Sequence, residues 1–168
     1  MSNWARKYQG LYADGKEKVG SMLEYTPPVP EILTEEYRAG GMDMPISMDM
    51  GMAAMEASFT IGEDEDVLNL FGIKKNSKEI PFFIRSLIEN DVTGEKRQIV
   101  EEIRAKVTKI DNGTKSAGSF SATTVTLKPS YYRYESNGKV IHEFDPINIV
   151  RIINGVDQLA DARVALGK

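Results

Sequence analysis

From Met55 to Ile61 the chain alternates strictly: Met55, Ala57, Phe59 and Ile61 at one parity, Glu56, Ser58 and Thr60 at the other. A period of two puts each set on its own face of an extended backbone, so this segment is a half-buried β-strand. It is entered through an unusual stretch. From Tyr37 to Phe59 the sequence reads YRAGGMDMPISMDMGMAAMEASF, with a Gly40-Gly41 pair followed by Met42, Met44, Met48, Met50, Met52 and Met55. Asp43 and Asp49 break the run, and Pro45 excludes a regular helix through it. The expectation is a protruding Gly/Met-rich loop at about residues 39–53. A loop this apolar marks a binding surface, and methionine, unbranched and polarizable, suits an adaptable one.

The remainder of the chain reads as short strands and turns. Tyr8 to Gly20 is a hairpin about Asp14-Gly15, Ser21 to Thr26 a short strand, and Pro27, Pro28 and Pro30 end it. Glu31 to Arg38 is extended. The acidic run at Glu63 to Asp66, followed by Val67, Leu70, Phe71 and Gly72, predicts one helix with an apolar stripe, an acidic first turn and a glycine stop. Ile80 to Asn90 is a strand, and Val92 to Glu95 turns it. Arg97 to Thr108 is a long strand with Ile99, Ile103, Ala105 and Val107 inward and Gln98, Glu102, Arg104 and Lys106 outward. Two strands, Phe120 to Lys128 and Tyr131 to Glu135, are expected on either side of Pro129. Asn137-Gly138 makes a hairpin with Lys139 to Phe144; Ile147 to Ile153 is extended, and Gln158 to Leu166 closes the chain as a short helix. This pattern predicts one mostly-β domain over residues 1–168, a sandwich or open barrel of antiparallel strands with one flanking helix and a short C-terminal helix.

Composition excludes several functions. With 168 residues, 41% hydrophobic and 27% charged, the chain suits a single soluble domain, and no apolar run approaches the ~20 residues of a membrane helix. Residues 1–10 carry Arg6 and Lys7 without an apolar segment after them, unlike a secretory signal. The lack of cysteine removes disulfides, thiolate metal sites and a cysteine nucleophile, and fits assembly in a reducing cytoplasm. A net charge of −4 argues against a protein built to grip nucleic acid.

No catalytic constellation is present, so the chain is read as a non-enzyme without a cofactor. His142, the only histidine, lies on an alternating strand with no nucleophile or orienting acid placed by a motif, and reads as structural or surface. Glu63 to Asp66 lacks the spacing of a calcium loop, and Gly40-Gly41 lacks the lysine of a phosphate loop. The methionines could offer thioethers to Cu(I), but Asp43 and Asp49 are hard ligands and no histidine is near. Three readings of the Met-rich segment stand: an arm that contacts another subunit, a loop buried in the protein's own core where methionine fills gaps, or the loop of a monomeric β-sandwich module holding a peptide or soft metal.

Two blocks of sequence resemble a known family. Glu36-Tyr37-Arg38-Ala39-Gly40-Gly41-Met42-Asp43, Asp49-Met50-Gly51 and Ala54-Met55-Glu56-Ala57 form the first. Tyr131-Tyr132-Arg133-Tyr134, Asn137-Gly138-Lys139, Asp145-Pro146-Ile147-Asn148 and Ile153-Asn154-Gly155-Val156-Asp157-Gln158-Leu159 form the second. In order and spacing they are similar to the major tail tube proteins of contractile-tailed phages, a group that includes the tubes of R-type pyocins (tailocins). The resemblance implies a structural subunit of a virion tail or tailocin, assembled in the host cytoplasm as hexameric rings stacked into a hollow tube. It implies a sheath around the tube, tape-measure protein in the lumen, baseplate and tail-terminator proteins at the ends, and DNA only as passing cargo. A secretion-system tube would share the architecture. By the same resemblance Tyr37, Arg38, Ala39, Gly40, Gly41, Met42, Asp43, Met44, Met48, Met50 and Met52 form the subunit-interface loop. Glu56, Ser58 and Thr60 are expected to face the lumen. Asp64 and Glu65, on the exposed side of the helix, are expected to face the sheath.

Overall fold

The computed structural model describes residues 3–72 and 78–168. Within them twelve strands and two short helices follow in order: β1 (Trp4–Ala13), β2 (Lys16–Glu17), β3 (Met22–Thr26), β4 (Ile32–Tyr37), β5 (Ile46–Met52), β6 (Ala57–Gly62), α1 (Glu65–Leu68), β7 (Ile80–Asn90), β8 (Lys96–Asp111), β9 (Ala122–Ser136), β10 (Lys139–Asp145), β11 (Val150–Ile153), β12 (Val156–Asp157) and α2 (Ala160–Ala165). The fold is the mostly-β, antiparallel one that the alternation predicts.

The main sheet runs β12-β11-β10-β9-β8-β7-β1-β2. Its tight turns lie where Xaa-Gly pairs lie in the sequence. Asp14-Gly15 and Asn137-Gly138 both have positive φ at each central residue (52° and 78°, 50° and 80°), the twist that joins adjacent strands without splaying them. Asn154-Gly155 forms a third such turn between β11 and β12, where no hairpin is expected from the sequence.

The architecture turns on β9. One edge of this 15-residue strand pairs with β8 along its length. The other edge is divided: Ala122–Leu127 pairs with β6, and Tyr132–Ser136 pairs with β10. Pro129 sits in the gap between these partners and beside the register shift at Arg104/Ala105, where a missing N–H costs little. It therefore does not interrupt the strand, and the two expected segments are one. The sheet forks at this point, and the β6–β3 branch folds over the face of the main sheet. Phe59 on β6 meets Phe82 on β7 with ring centroids 5.9 Å apart. Between the layers Leu11, Phe59, Ile61, Ile80, Phe82, Ile84, Ile103 and Leu127 are fully buried, each contributing about 1.5–3 kcal/mol of transfer free energy.

Four sequence expectations need correction. The segment at 39–53 is not one irregular loop, because Ile46–Met52 is a strand; Ile46, Met48, Met50 and Met52 already alternate with Ser47, Asp49 and Gly51. The helix is a single turn, capped by the Asp64 carboxylate on the Asp66 N–H at 2.9 Å; Val67 and Leu70 are buried but Phe71 is 56% exposed. Phe120 stands outside β9 and is exposed. The Asp145 carboxylate accepts from the N–H groups of Ile147 and Asn148, bending 146–149 into a turn, so only Val150–Ile153 is extended. His142 is half-buried between the rings of Tyr134 and Phe144.

Candidate functional site

β4 and β5 form a two-stranded ribbon that, among the described residues, joins no other sheet. Residues of both strands are exposed throughout, save Met52 at the root, which packs on the core. Ile32, Leu33, Tyr37, Met44, Ile46, Met48 and Met50 all stand in solvent, Met44 at 69%. A lone hairpin is marginal in water, and one with so much apolar surface calls for a covering partner. The tip is organised locally: the Met42 N–H donates to the Ala39 carbonyl (3.0 Å), Arg38 Nε to the Met42 carbonyl (3.0 Å), and Ala39 N–H to Met42 Sδ (3.3 Å).

The root is fastened by charge. Arg151 on β11 donates to Asp49 at 2.9 Å, and the Gly51 N–H donates to the same carboxylate at 2.9 Å. These two contacts, the amide first and the guanidinium second, hold Asp49 below the usual carboxylate range. Gly51, at φ 97°, opens the bend that a side chain would resist. Beneath the root lies a groove of about 780 Å³, lined by Met52, Met55, Pro129, Phe144 and Leu159.

A second feature is the branch of the fork. β3, β6, the first half of β9 and the distal part of β8 make a four-stranded sheet whose outward rows are Glu24-Thr60-Thr124-Asp111 and Thr26-Ser58-Thr126-Lys109. This face is rich in hydroxyls and close to neutral; Glu56 at its margin is ion-paired to Lys128. Both of its edges are open among the described residues. β3 pairs only with β6. β7 leaves β8 at Ala105; beyond it Phe71 bridges Val107, and the Gly72 N–H donates to the Val107 carbonyl. Unpaired edges of this kind are templates for another chain.

A family model described as phage tail tube protein FII matches residues 7–167. The chain belongs to that tail tube family. It is 29% identical over 161 residues to the major tail tube protein of Serratia phage KSP20, covering 94% of this chain and 92% of that one. With the tail tube protein of Escherichia phage P2 it shares 25% over 165 residues, 96% and 95% of the two chains. Its fold is also that of a chain in the extended sheath–tube complex of the extracellular contractile injection system PVC, with TM-score 0.53 and 15% identity over 77% of this chain and 88% of the other.

The residues expected to matter to a tail tube protein fall in three places. Tyr37 to Met52 make up the ribbon and its tip. Ser58 and Thr60 lie half-buried on the hydroxyl face, with exposed Glu56 beside them. Asp64 and Glu65 do not form a free acidic ridge. Asp64 is half-buried as the helix cap and pairs with Lys18 at 2.7 Å; Asp66 pairs with Lys16 (2.8 Å) and Lys18 (3.0 Å), and Glu63 with Lys115. Lys16 and then Lys18 lower Asp66 to about 2. Of the two expected residues, Glu65 is exposed and Asp64 is not. No helix among the described residues is long and apolar enough to cross a membrane.

One residue escapes the sequence reading. Glu101 lies at the inward parity of β8, between Ile99 and Ile103, and is 1% exposed. Its Oε1 accepts from Tyr132 Oη (2.7 Å) and Tyr25 Oη (3.2 Å), while Oε2 has no partner. Burial pushes its carboxyl up, against the opposing pull of Tyr132, Arg6 and Tyr25. The parity of β8 alone would have flagged it.

Proposed function

We propose that this tail tube protein is a non-enzymatic subunit of the inner tube of a contractile apparatus, closing into homohexameric rings that stack around a lumen. The observation that carries the reading is the pairing of an open-edged four-stranded sheet with a solitary apolar ribbon on one chain. The edge of β3 in one copy and the distal edge of β8 in the next would complete each other's ladders, so that the hydroxyl face forms a continuous wall. Two different surfaces that fit each other make a heterologous contact, and such contacts close into rings or continue as filaments. The β4–β5 ribbon then reaches adjacent subunits, its apolar side chains buried between copies.

On this reading Glu56, Ser58 and Thr60 line the bore with Glu24, Thr26, Thr124 and Thr126. A hydroxyl-rich, near-neutral wall gives phosphate nothing to hold, which suits DNA as passing cargo. Sheath protein covers the outer side, where Glu65 is the freer of the two acidic candidates. Tape-measure protein occupies the lumen during assembly, terminator and baseplate proteins close the ends, and the particle assembles in the host cytoplasm. Electron microscopy of the purified protein tests this: rings or tubes are expected, and a single species of monomer mass at all concentrations would favour an isolated binding module.

A further inference from the structure

We propose that Glu101 is a positioning residue for assembly, holding β3 through Tyr25 at the height where its open edge can pair with a second copy of the chain. This rests on the ring-closing role of β3 proposed above. β3 has five residues and a register shift between Met22 and Glu24, and among the described residues it pairs with β6 alone. Two of its side chains turn inward: Met22, buried, and Tyr25, packed against the core. Met22 makes non-directional contacts that tolerate a slide. The Tyr25 hydroxyl is the directional one, and it crosses from the folded-over branch to the central strand of the main sheet.

The far end of this tie is firmly built. Glu101 also accepts from Tyr132 on the neighbouring strand, and β8 is paired on both sides at this point, to Ile84 and to Tyr134. Arg6 on β1 lies close enough to favour the ionised carboxylate, and its guanidinium is itself held by Ser86 on β7. Burial, and then the charge of nearby Glu101, raise the Tyr134 hydroxyl. A buried carboxylate with one oxygen unpartnered is a poor choice for stability, since an apolar residue of similar volume would avoid the desolvation. Its geometric value lies in fixing one position of β3 among several that apolar packing alone would allow.

Tyr25→Phe and Tyr132→Phe each remove one hydrogen bond to Glu101, but only the first bond belongs to the edge strand. Thermal unfolding of unassembled protein and the critical concentration for tubes, read by sedimentation, separate the two roles. Comparable losses of Tm are expected. Tyr25→Phe should raise the critical concentration about tenfold or more, and Tyr132→Phe by no more than about threefold. Equal effects on assembly, or tubes from Tyr25→Phe at the wild-type concentration, overturn the proposal. Should Tyr25→Phe not fold, Glu101→Gln, which keeps an acceptor, should assemble nearly as the wild type while Glu101→Met does not; equal assembly by these two also overturns it. Failure of the wild-type protein to polymerise would overturn the ring reading and this inference together. Wild-type tubes with indistinguishable variants would remove this inference alone.

Discussion

Replacing Ile46, Met48 and Met50 together by threonine should abolish assembly at working concentrations and leave the fold intact. In the single chain these side chains are 51%, 38% and 54% exposed, so about half of their surface remains to be covered. Full burial of such a side chain is worth roughly 1.5–3 kcal/mol, so covering the exposed half of three contributes about 2–4 kcal/mol per arm. That is roughly a 30- to 700-fold weaker association for the triple variant, toward the lower end once the ordering of the ribbon is counted. Threonine keeps the strand propensity of β5. Because the positions are solvent-facing in the isolated chain, each change should alter its stability by no more than about 0.5 kcal/mol. Sedimentation across a concentration series gives the critical concentration, and thermal unfolding at low concentration gives the stability of the subunit. Tubes forming at the wild-type concentration would refute the assignment of the ribbon to subunit contacts. A large fall in subunit Tm would show instead that these three side chains belong to the chain's own core.

Phe59→Ala empties the contact with Phe82 across the two layers and should cost about 3–5 kcal/mol in denaturant unfolding, enough to leave little folded protein. Asp64→Ala removes the cap of α1 and should cost about 0.5–2 kcal/mol by the same measurement; an unchanged midpoint would mean that the single turn is held by Val67 and Leu70 alone. Burial raises the Glu101 carboxyl, so the folded state takes up this proton more readily than the unfolded chain does. Glu101 therefore costs stability at neutral pH, a cost relieved as pH falls through its raised value toward the ordinary one near 4.5, whereas Asp66, held at about 2, loses its contribution only in stronger acid. The Tm difference between Glu101→Gln and wild type should accordingly shift in favour of the wild type as pH falls from neutral toward 4.5; a difference constant across that range would contradict this.

The strands most legible in the sequence are those buried on one face and wet on the other. Phe59 and Ile61 on β6, Ile80 to Ile84 on β7, and Ile99 to Val107 on β8 show a period of two because the core enforces it. Asp14-Gly15 and Asn137-Gly138 are legible because few residue pairs tolerate left-handed angles. β5 shows the same period, but methionines there are mostly exposed, so its alternation reads as a greasy loop when apolar residues are assumed to point inward. Pro129 reads as a break because the cost of a missing donor depends on its neighbours; here Ala105 lies opposite on β8, while the other edge falls in the gap between β6 and β10. Glu101 reads as a surface residue by type although its parity is inward; only tertiary structure reveals the two tyrosine hydroxyls waiting for it. The acidic run at the start of α1 is visible, but the lysines that neutralise it are Lys16 on β2, Lys18 and Lys115, all far away in sequence. The open edge of the distal part of β8 depends on where β7 begins, and no local pattern encodes that.

Sharing β9 between two layers also has a mechanical consequence. A pull that a neighbouring copy exerts on β3 passes to β6, and from there through the six paired residues of Ala57–Gly62 into the first half of β9. β9 does not end with that branch. It continues past Pro129 and is bonded to β8 from Ile99 to Asp111, so force along its axis loads that ladder in shear and its bonds resist together. Peeling the branch away would break them one after another. In the ring proposed above, a thrust along the wall of the bore would thus be borne by β8 and β9, the longest pair of strands described, and the body would move with the wall as one piece.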